Sequence, residues 1–77
     1  MQINGLPVRD YAFTWAAGGD ALQQWASGAV GVTPAVIQHV ETLMATADAA
    51  DRKGLAELLV WLQSHAGEPA SPYTPGA

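Results

Sequence analysis

The sequence predicts an all-α protein: a compact three-helix domain with an extended aromatic arm at its N-terminus and a mobile proline-rich tail at its C-terminus. Three observations predict this class. Apolar residues recur at helical spacing in three segments, a capping residue precedes each segment, and glycine or proline ends the first and the third. We therefore assign one helical domain to residues 1–66 and a flexible tail to residues 67–77.

Residues 1–17 form the predicted arm. Its aromatic residues alternate with small ones, which is the period of a half-buried strand; they are Tyr11, Phe13 and Trp15. Pro7 excludes a helix that continues through it, and the Asn-Gly dipeptide before it favours a tight turn. The arm is expected to be an irregular segment lying across the helices, or a short β-hairpin.

The three helices are predicted at about residues 20–30, 33–47 and 49–65. Asp20 is the expected N-cap of the first helix, and Gly28 and Gly31 limit its length. Thr33 gives the second helix its start, because a capping threonine is followed by a proline at the first helical position. Two nearby aspartates offer caps for the third helix, and a glycine and a proline end it.

The charge balance restricts the classes of partner. Three basic residues face seven acidic ones, and the resulting net charge of −4 repels phosphate backbones and anionic membrane surfaces. No apolar run approaches the roughly 20 residues that span a membrane. The chain has no cysteine, which fits a reducing compartment, and a cytoplasmic location is expected. Only 13% of the residues are charged, about half the usual share, which favours association with another surface.

The run LAELLVWL, residues 55–62, raises the question of what covers the third helix. Four leucines share one face, which suffices for the core side, whereas Val60 and Trp61 lie on either side of Glu57 on the opposite side. Three explanations remain open: the N-terminal arm covers this side, a second copy of the chain covers it, or a different protein binds there. The predicted protein interface consists of Val60, Trp61, Glu57 and Ser64.

A second interpretation rests on the segment QQWASGAVGVTPAVIQHV, residues 23–40. It resembles the helix-turn-helix of phage repressors and similar regulators, because Gly31 takes the turn position and Ile37 and Val40 take the inward positions of the second helix. The segment departs from that pattern at Ser27, where a buried alanine is usual, and its second helix has no Arg or Lys. The resemblance implies a DNA-binding transcription regulator whose candidate contacts are Thr33, Gln38 and His39.

The inventory of reactive side chains does not indicate an enzyme. Neither phosphate-binding loops nor a serine-centred elbow occur, and His39 and Glu41, two residues apart on a helix, point to different faces and cannot share a metal. We expect no catalytic residue, no metal, no cofactor and no small-molecule substrate. The predicted function is therefore that of a small acidic protein-binding module. It would act as a regulator, adaptor or inhibitor, of the kind that phages and prophages encode, or as a homodimer.

Overall fold

The computed structural model describes residues 1–73, and this part of the chain contains four helices and one two-stranded sheet. The elements in chain order are β1 (Gln2–Ile3), β2 (Leu6–Pro7), α1 (Val8–Trp15), α2 (Ala21–Ala26), α3 (Pro34–Thr46) and α4 (Ala49–Ser64). The protein is mostly helical, as the sequence predicts, but the number of helices in the described residues is four and not three.

The N-terminus forms a short antiparallel hairpin, one of the two predicted alternatives. Ile3 pairs with Leu6 across a two-residue turn at Asn4 and Gly5, whose φ angles are 54° and 81°. Positive φ at both turn residues is the conformation that matches the twist of a tight hairpin, and Asn-Gly adopts it readily. The hairpin docks through Ile3, whose side chain is completely buried.

Helix α1 replaces the extended aromatic segment that the alternation predicted, so that prediction is wrong. Val8, Tyr11 and Ala12 are buried on one face, at the three- and four-residue spacing of a helix. Pro7 stands just before the first helical residue, where its missing N–H costs nothing and its fixed φ suits a helix start. Alternating aromatic and small residues thus conceal a helical spacing that begins at Val8.

Helices α2, α3 and α4 begin at side-chain caps, each of which accepts a hydrogen bond from the amide three residues later; the caps are Asp20, Thr33 and Asp48. The first two are the predicted ones, and Asp48 is the first of the two aspartates considered for the third. Helix α2 ends at Ala26 and not near residue 30, because Gly28 already has a φ of +90°.

The core lies where the four helices and the hairpin meet. Its largest fully buried side chains are Ile3, Leu22, Val36, Val40, Leu55, Leu58 and Leu62. Helix α4 supplies three of them from the leucine face that the sequence predicts, while Leu59 is half-buried. This arrangement leaves the opposite face of α4 directed away from the core.

The segment after α4 lies packed on the helices as far as Tyr73, contrary to the prediction of a free tail. The Val32 amide donates to the Glu68 carbonyl at 3.0 Å, and Arg9 Nη1 donates to the Ser71 carbonyl at 2.7 Å. The prediction considered only the little apolar surface of the segment, whereas these contacts are mainly hydrogen bonds to its backbone. Residues 74–77, which the prediction of a flexible tail also includes, lie outside the described residues.

Candidate protein-binding surface

The outer face of α4 carries three of the four predicted interface residues. Glu57, Val60 and Ser64 follow one another at spacings of three and four residues, so they share one side of the helix. Val60 is 60% exposed, Ser64 is exposed and Glu57 is half-buried. Most of the Val60 side chain is therefore left uncovered by the rest of the chain.

The hairpin brings a second apolar side chain to this face. Met1 is 66% exposed and borders the same shallow depression as Val60. The residues that line this depression are Met1, Lys53, Ala56, Glu57 and Val60, and together they are called the Val60 surface here. The contribution of Met1 was not predictable, because it depends on how the hairpin docks on α4.

The side chains of the Val60 surface carry one charge of each sign. Lys53 and Glu57 stand one helical turn apart and flank the apolar centre. The two arginines are engaged elsewhere: Arg52 donates to the Ala47 carbonyl at the end of α3, at 2.7 Å, and Arg9 holds the C-terminal segment. Lys53 is therefore, among the Lys and Arg side chains of the described residues, the one that the fold leaves for an external contact.

Trp61, the fourth predicted interface residue, lies apart from the Val60 surface. It is half-buried, its ring centroid is 5.5 Å from that of Trp25, and it stacks on His65 at 3.9 Å. His65 in turn contacts Glu68 through Nδ1. Trp61 thus lines a separate cleft, and packing within the chain occupies much of its surface.

This cleft has a volume of about 370 Å³ and lies between α1, α2, α4 and the C-terminal segment. Its walls include Arg9, Trp25, Trp61, Pro69 and Pro72. The Arg9 guanidinium lies 5.7 Å from the centre of the Trp25 ring, at cation–π distance. Sequence reasoning did not find this site, because its walls come from distant parts of the chain.

Two tyrosines have perturbed ionisation. Burial raises the pKa of Tyr11, whose hydroxyl group has no hydrogen-bond partner in residues 1–73. The hydrogen bond that Tyr73 donates to Asp10 Oδ1, at 2.5 Å, raises the pKa of Tyr73. Both shifts stabilise the neutral phenol and neither provides a base at neutral pH.

The candidate DNA contacts are placed as follows. Thr33 caps α3 with its hydroxyl group, His39 Nε2 lies 3.2 Å from Asp20 Oδ2, and Gln38 is exposed. Two of the three side chains are thus engaged within the chain. The connection between α2 and α3 covers residues 27–33, which is longer than the turn of about three to four residues typical of a helix-turn-helix.

Within residues 1–73, no group of three His, Asp or Glu side chains is arranged to hold a metal ion. None of the helices in this part of the chain has the length and apolar character needed to cross a membrane.

Comparison with known proteins gives no relative: no family model, no curated protein and no solved structure matches the chain. The two surfaces described above are therefore the basis on which a function is assigned.

Proposed function

We propose that this chain is a small protein-binding module, that the Val60 surface is its contact site, and that a second copy of the chain is the occupant. A module of this kind acts as a regulator, adaptor or inhibitor by covering a surface of its target. A dimer formed through the Val60 surface hides that surface, and the monomer exposes it.

The exposure of Val60 beside Met1 carries the proposal. Both are large apolar side chains that remain more than half exposed, and they adjoin one another across α4 and the hairpin. Single exposed apolar residues need no explanation, but a continuous apolar patch with a charged border is typical of an interaction site.

The charges on this surface favour a second copy. If two α4 helices pack antiparallel about a two-fold axis near Ala56, each Lys53 lies only about half a helical turn along the axis from Glu57 of the other copy. The aliphatic part of Lys53 then covers Val60 of the other copy, and the ammonium group reaches the carboxylate. A contact surface whose charged side chains are one lysine and one glutamate is complementary to itself in this arrangement.

Sedimentation velocity over about 1 µM to 1 mM tests the proposal, because contacts of small area have dissociation constants in this range. We expect a reversible monomer–dimer equilibrium in the wild-type protein. Val60→Glu should shift it to the monomer by at least about tenfold, since a buried unpaired carboxylate opposes association. Gln63→Glu is the matched control, because residue 63 is exposed on the same helix but does not line the surface.

Disulfide cross-linking locates the contact. The chain has no cysteine, so an Ala56→Cys variant carries a single thiol near the expected two-fold axis. We expect it to form a covalent dimer under mild oxidation, and Gln63→Cys to remain monomeric. A wild-type chain that stays monomeric over the whole range, with no cross-linking at residue 56, contradicts the proposal.

A further inference from the structure

The C-terminal segment is held in a groove mainly through its own backbone. Arg9 Nη1 donates to the carbonyls of Ser71 and Pro72 at 2.7 and 2.9 Å. Val32 donates its amide to the Glu68 carbonyl and accepts from the Gly67 amide, both at 3.0 Å. Recognition through the backbone binds an extended segment with little regard to most of its side chains.

Two glycines form the floor of this groove. At Gly31 an added Cβ would overlap the Glu68 carbonyl oxygen, and at Gly28 it would overlap that of Ser71. Gly31 has no positive φ, so the close approach of the segment is what favours glycine there. The groove is thus shaped to admit a peptide backbone.

The side chains that the groove does contact are those of proline and tyrosine. Pro69 and Pro72, three residues apart, face the cleft that Trp25 and Trp61 line. Tyr73 places its ring 4.7 Å from that of Phe13 at 75° and donates its hydroxyl hydrogen to Asp10. Aromatic walls, a proline spacing of three and backbone hydrogen bonds are the means by which proline-rich peptides are recognised.

The segment does not fill its groove. A cleft of about 370 Å³ remains between the two prolines, the tryptophans and Met1. A ligand with larger side chains at the positions that face the cleft would bury more apolar surface than the chain's own segment does.

From these contacts we infer that the groove between α1, α2 and residues 28–32 is a recognition site for an extended proline- and tyrosine-containing segment of a partner protein. The chain's own residues 68–73 occupy it as an internal ligand. The partner segment binds by displacing them. The site is therefore occupied in the free protein and becomes accessible only when a partner segment competes with residues 68–73. This site does not depend on self-association through the Val60 surface, with which it shares only Met1.

The test uses the full-length Tyr73→Ala variant, whose internal ligand is weakened while the groove is unchanged. A labelled peptide of sequence GEPASPY is titrated into the ¹⁵N-labelled variant. We expect saturable binding with shifts of the Gly28, Gly31 and Val32 amides. The wild-type protein should bind the peptide about tenfold more weakly, because its own segment competes at an effective concentration on the order of millimolar.

Two controls make the result specific. Adding Gly31→Val to the Tyr73→Ala variant should abolish binding, because the new side chain fills the place of the bound backbone. A scrambled peptide of the same composition should not bind. If Tyr73→Ala does not fold, the titration of the wild-type protein with excess peptide answers the same question.

The possible results distinguish a partner segment from the tail of a second copy as the occupant of the groove. No saturable shifts in either protein up to about 5 mM peptide, above the effective concentration of the internal ligand, would overturn the inference. A wild-type dimer that Tyr73→Ala abolishes and Val60→Glu does not would overturn it in favour of tail exchange between two copies. Peptide binding that persists in a Val60→Glu variant supports the groove independently of the Val60 surface.

Discussion

Gly54 and Tyr11 show how one residue limits another in a small core. The buried Tyr11 ring lies against the backbone of α4 at Gly54, and an alanine Cβ at that position would stand 2.8 Å from the ring carbon Cζ and closer still to the hydroxyl oxygen. Glycine inside a helix costs about 1 kcal/mol relative to alanine. Here it admits the ring that closes the contact between α1 and α4.

We expect Gly54→Ala to destabilise the protein by about 1–2 kcal/mol, because overpacking outweighs the gain in helix propensity. In a Tyr11→Phe background the loss should be smaller, since the nearest atom is removed. Urea denaturation of the four proteins of this double-mutant cycle measures the coupling. Additive effects of the two substitutions would contradict the contact.

The tyrosines make a prediction about pH. Tyr11 and Tyr73 both have pKa values raised above the ordinary value of 10.0, by burial and by the hydrogen bond to Asp10 respectively. The stabilisation linked to a raised pKa is complete below the unfolded value and is lost as the pH rises through the folded value. The docking of Tyr73 should therefore persist through pH 10 and fail above it.

An ultraviolet titration of phenolate absorbance measures this effect. We expect both phenols to ionise above pH 10 in the folded protein, and Asp10→Asn to lower the pKa of Tyr73 alone. Tyr73→Phe leaves the Tyr11 transition by itself. A phenol that titrates at the ordinary value in the folded wild type would show that its contact is absent.

At the scale of elements, the helix starts that could be predicted are those with local signals. Thr33 stands before a proline and Asp20 follows two glycines, so each is recognisable as a cap from its neighbours. The structure has the capping hydrogen bond of both residues. The start of α1 has no side-chain cap, because Pro7 precedes it. Its helical face becomes apparent only when Val8 is counted together with Tyr11, and the alternation of aromatics conceals it.

Asp20 joins two elements and makes the element-scale prediction. Its carboxylate accepts from the amides of Gln23 at 2.8 Å and Ala17 at 3.1 Å, and it lies 3.2 Å from His39 on α3. Asp48 caps α4 through one hydrogen bond and has no such second partner among the described contacts. Asp20→Ala should therefore cost more stability than Asp48→Ala, about 2 against about 1 kcal/mol.

Thermal denaturation followed by circular dichroism compares the two caps. Asp20→Asn separates the contributions, because asparagine also caps a helix but removes the charge that faces His39. We expect its stability to lie between those of wild type and Asp20→Ala. Equal losses for Asp20→Ala and Asp48→Ala would mean that the contacts of Asp20 with Ala17 and His39 contribute nothing.

For the whole molecule, the sequence predicts a mostly helical chain with a leucine face on its last helix, because each of these follows from local spacing. The Val60 side of α4 was also apparent from spacing. The groove was not, because Arg9, Gly31 and Pro72 are far apart in sequence and none of them is apolar enough to indicate packing. The composition of the tail predicts that it is free, whereas hydrogen bonds to its backbone hold residues 68–73 in place.

Removal of residues 68–77 decides between these two interpretations of the tail. Composition alone predicts an unchanged melting temperature. The structure predicts a fall of roughly 5 °C, because the Arg9 and Val32 hydrogen bonds and the contact of Tyr73 with Phe13 are lost. The transition should remain cooperative, since every core side chain lies within residues 3–62. An Arg9→Met substitution in the full-length chain should reproduce part of the fall, and Lys53→Met, which removes an exposed cation, should not. An unchanged melting temperature after truncation would mean that residues 68–73 do not bind in the groove as an internal ligand.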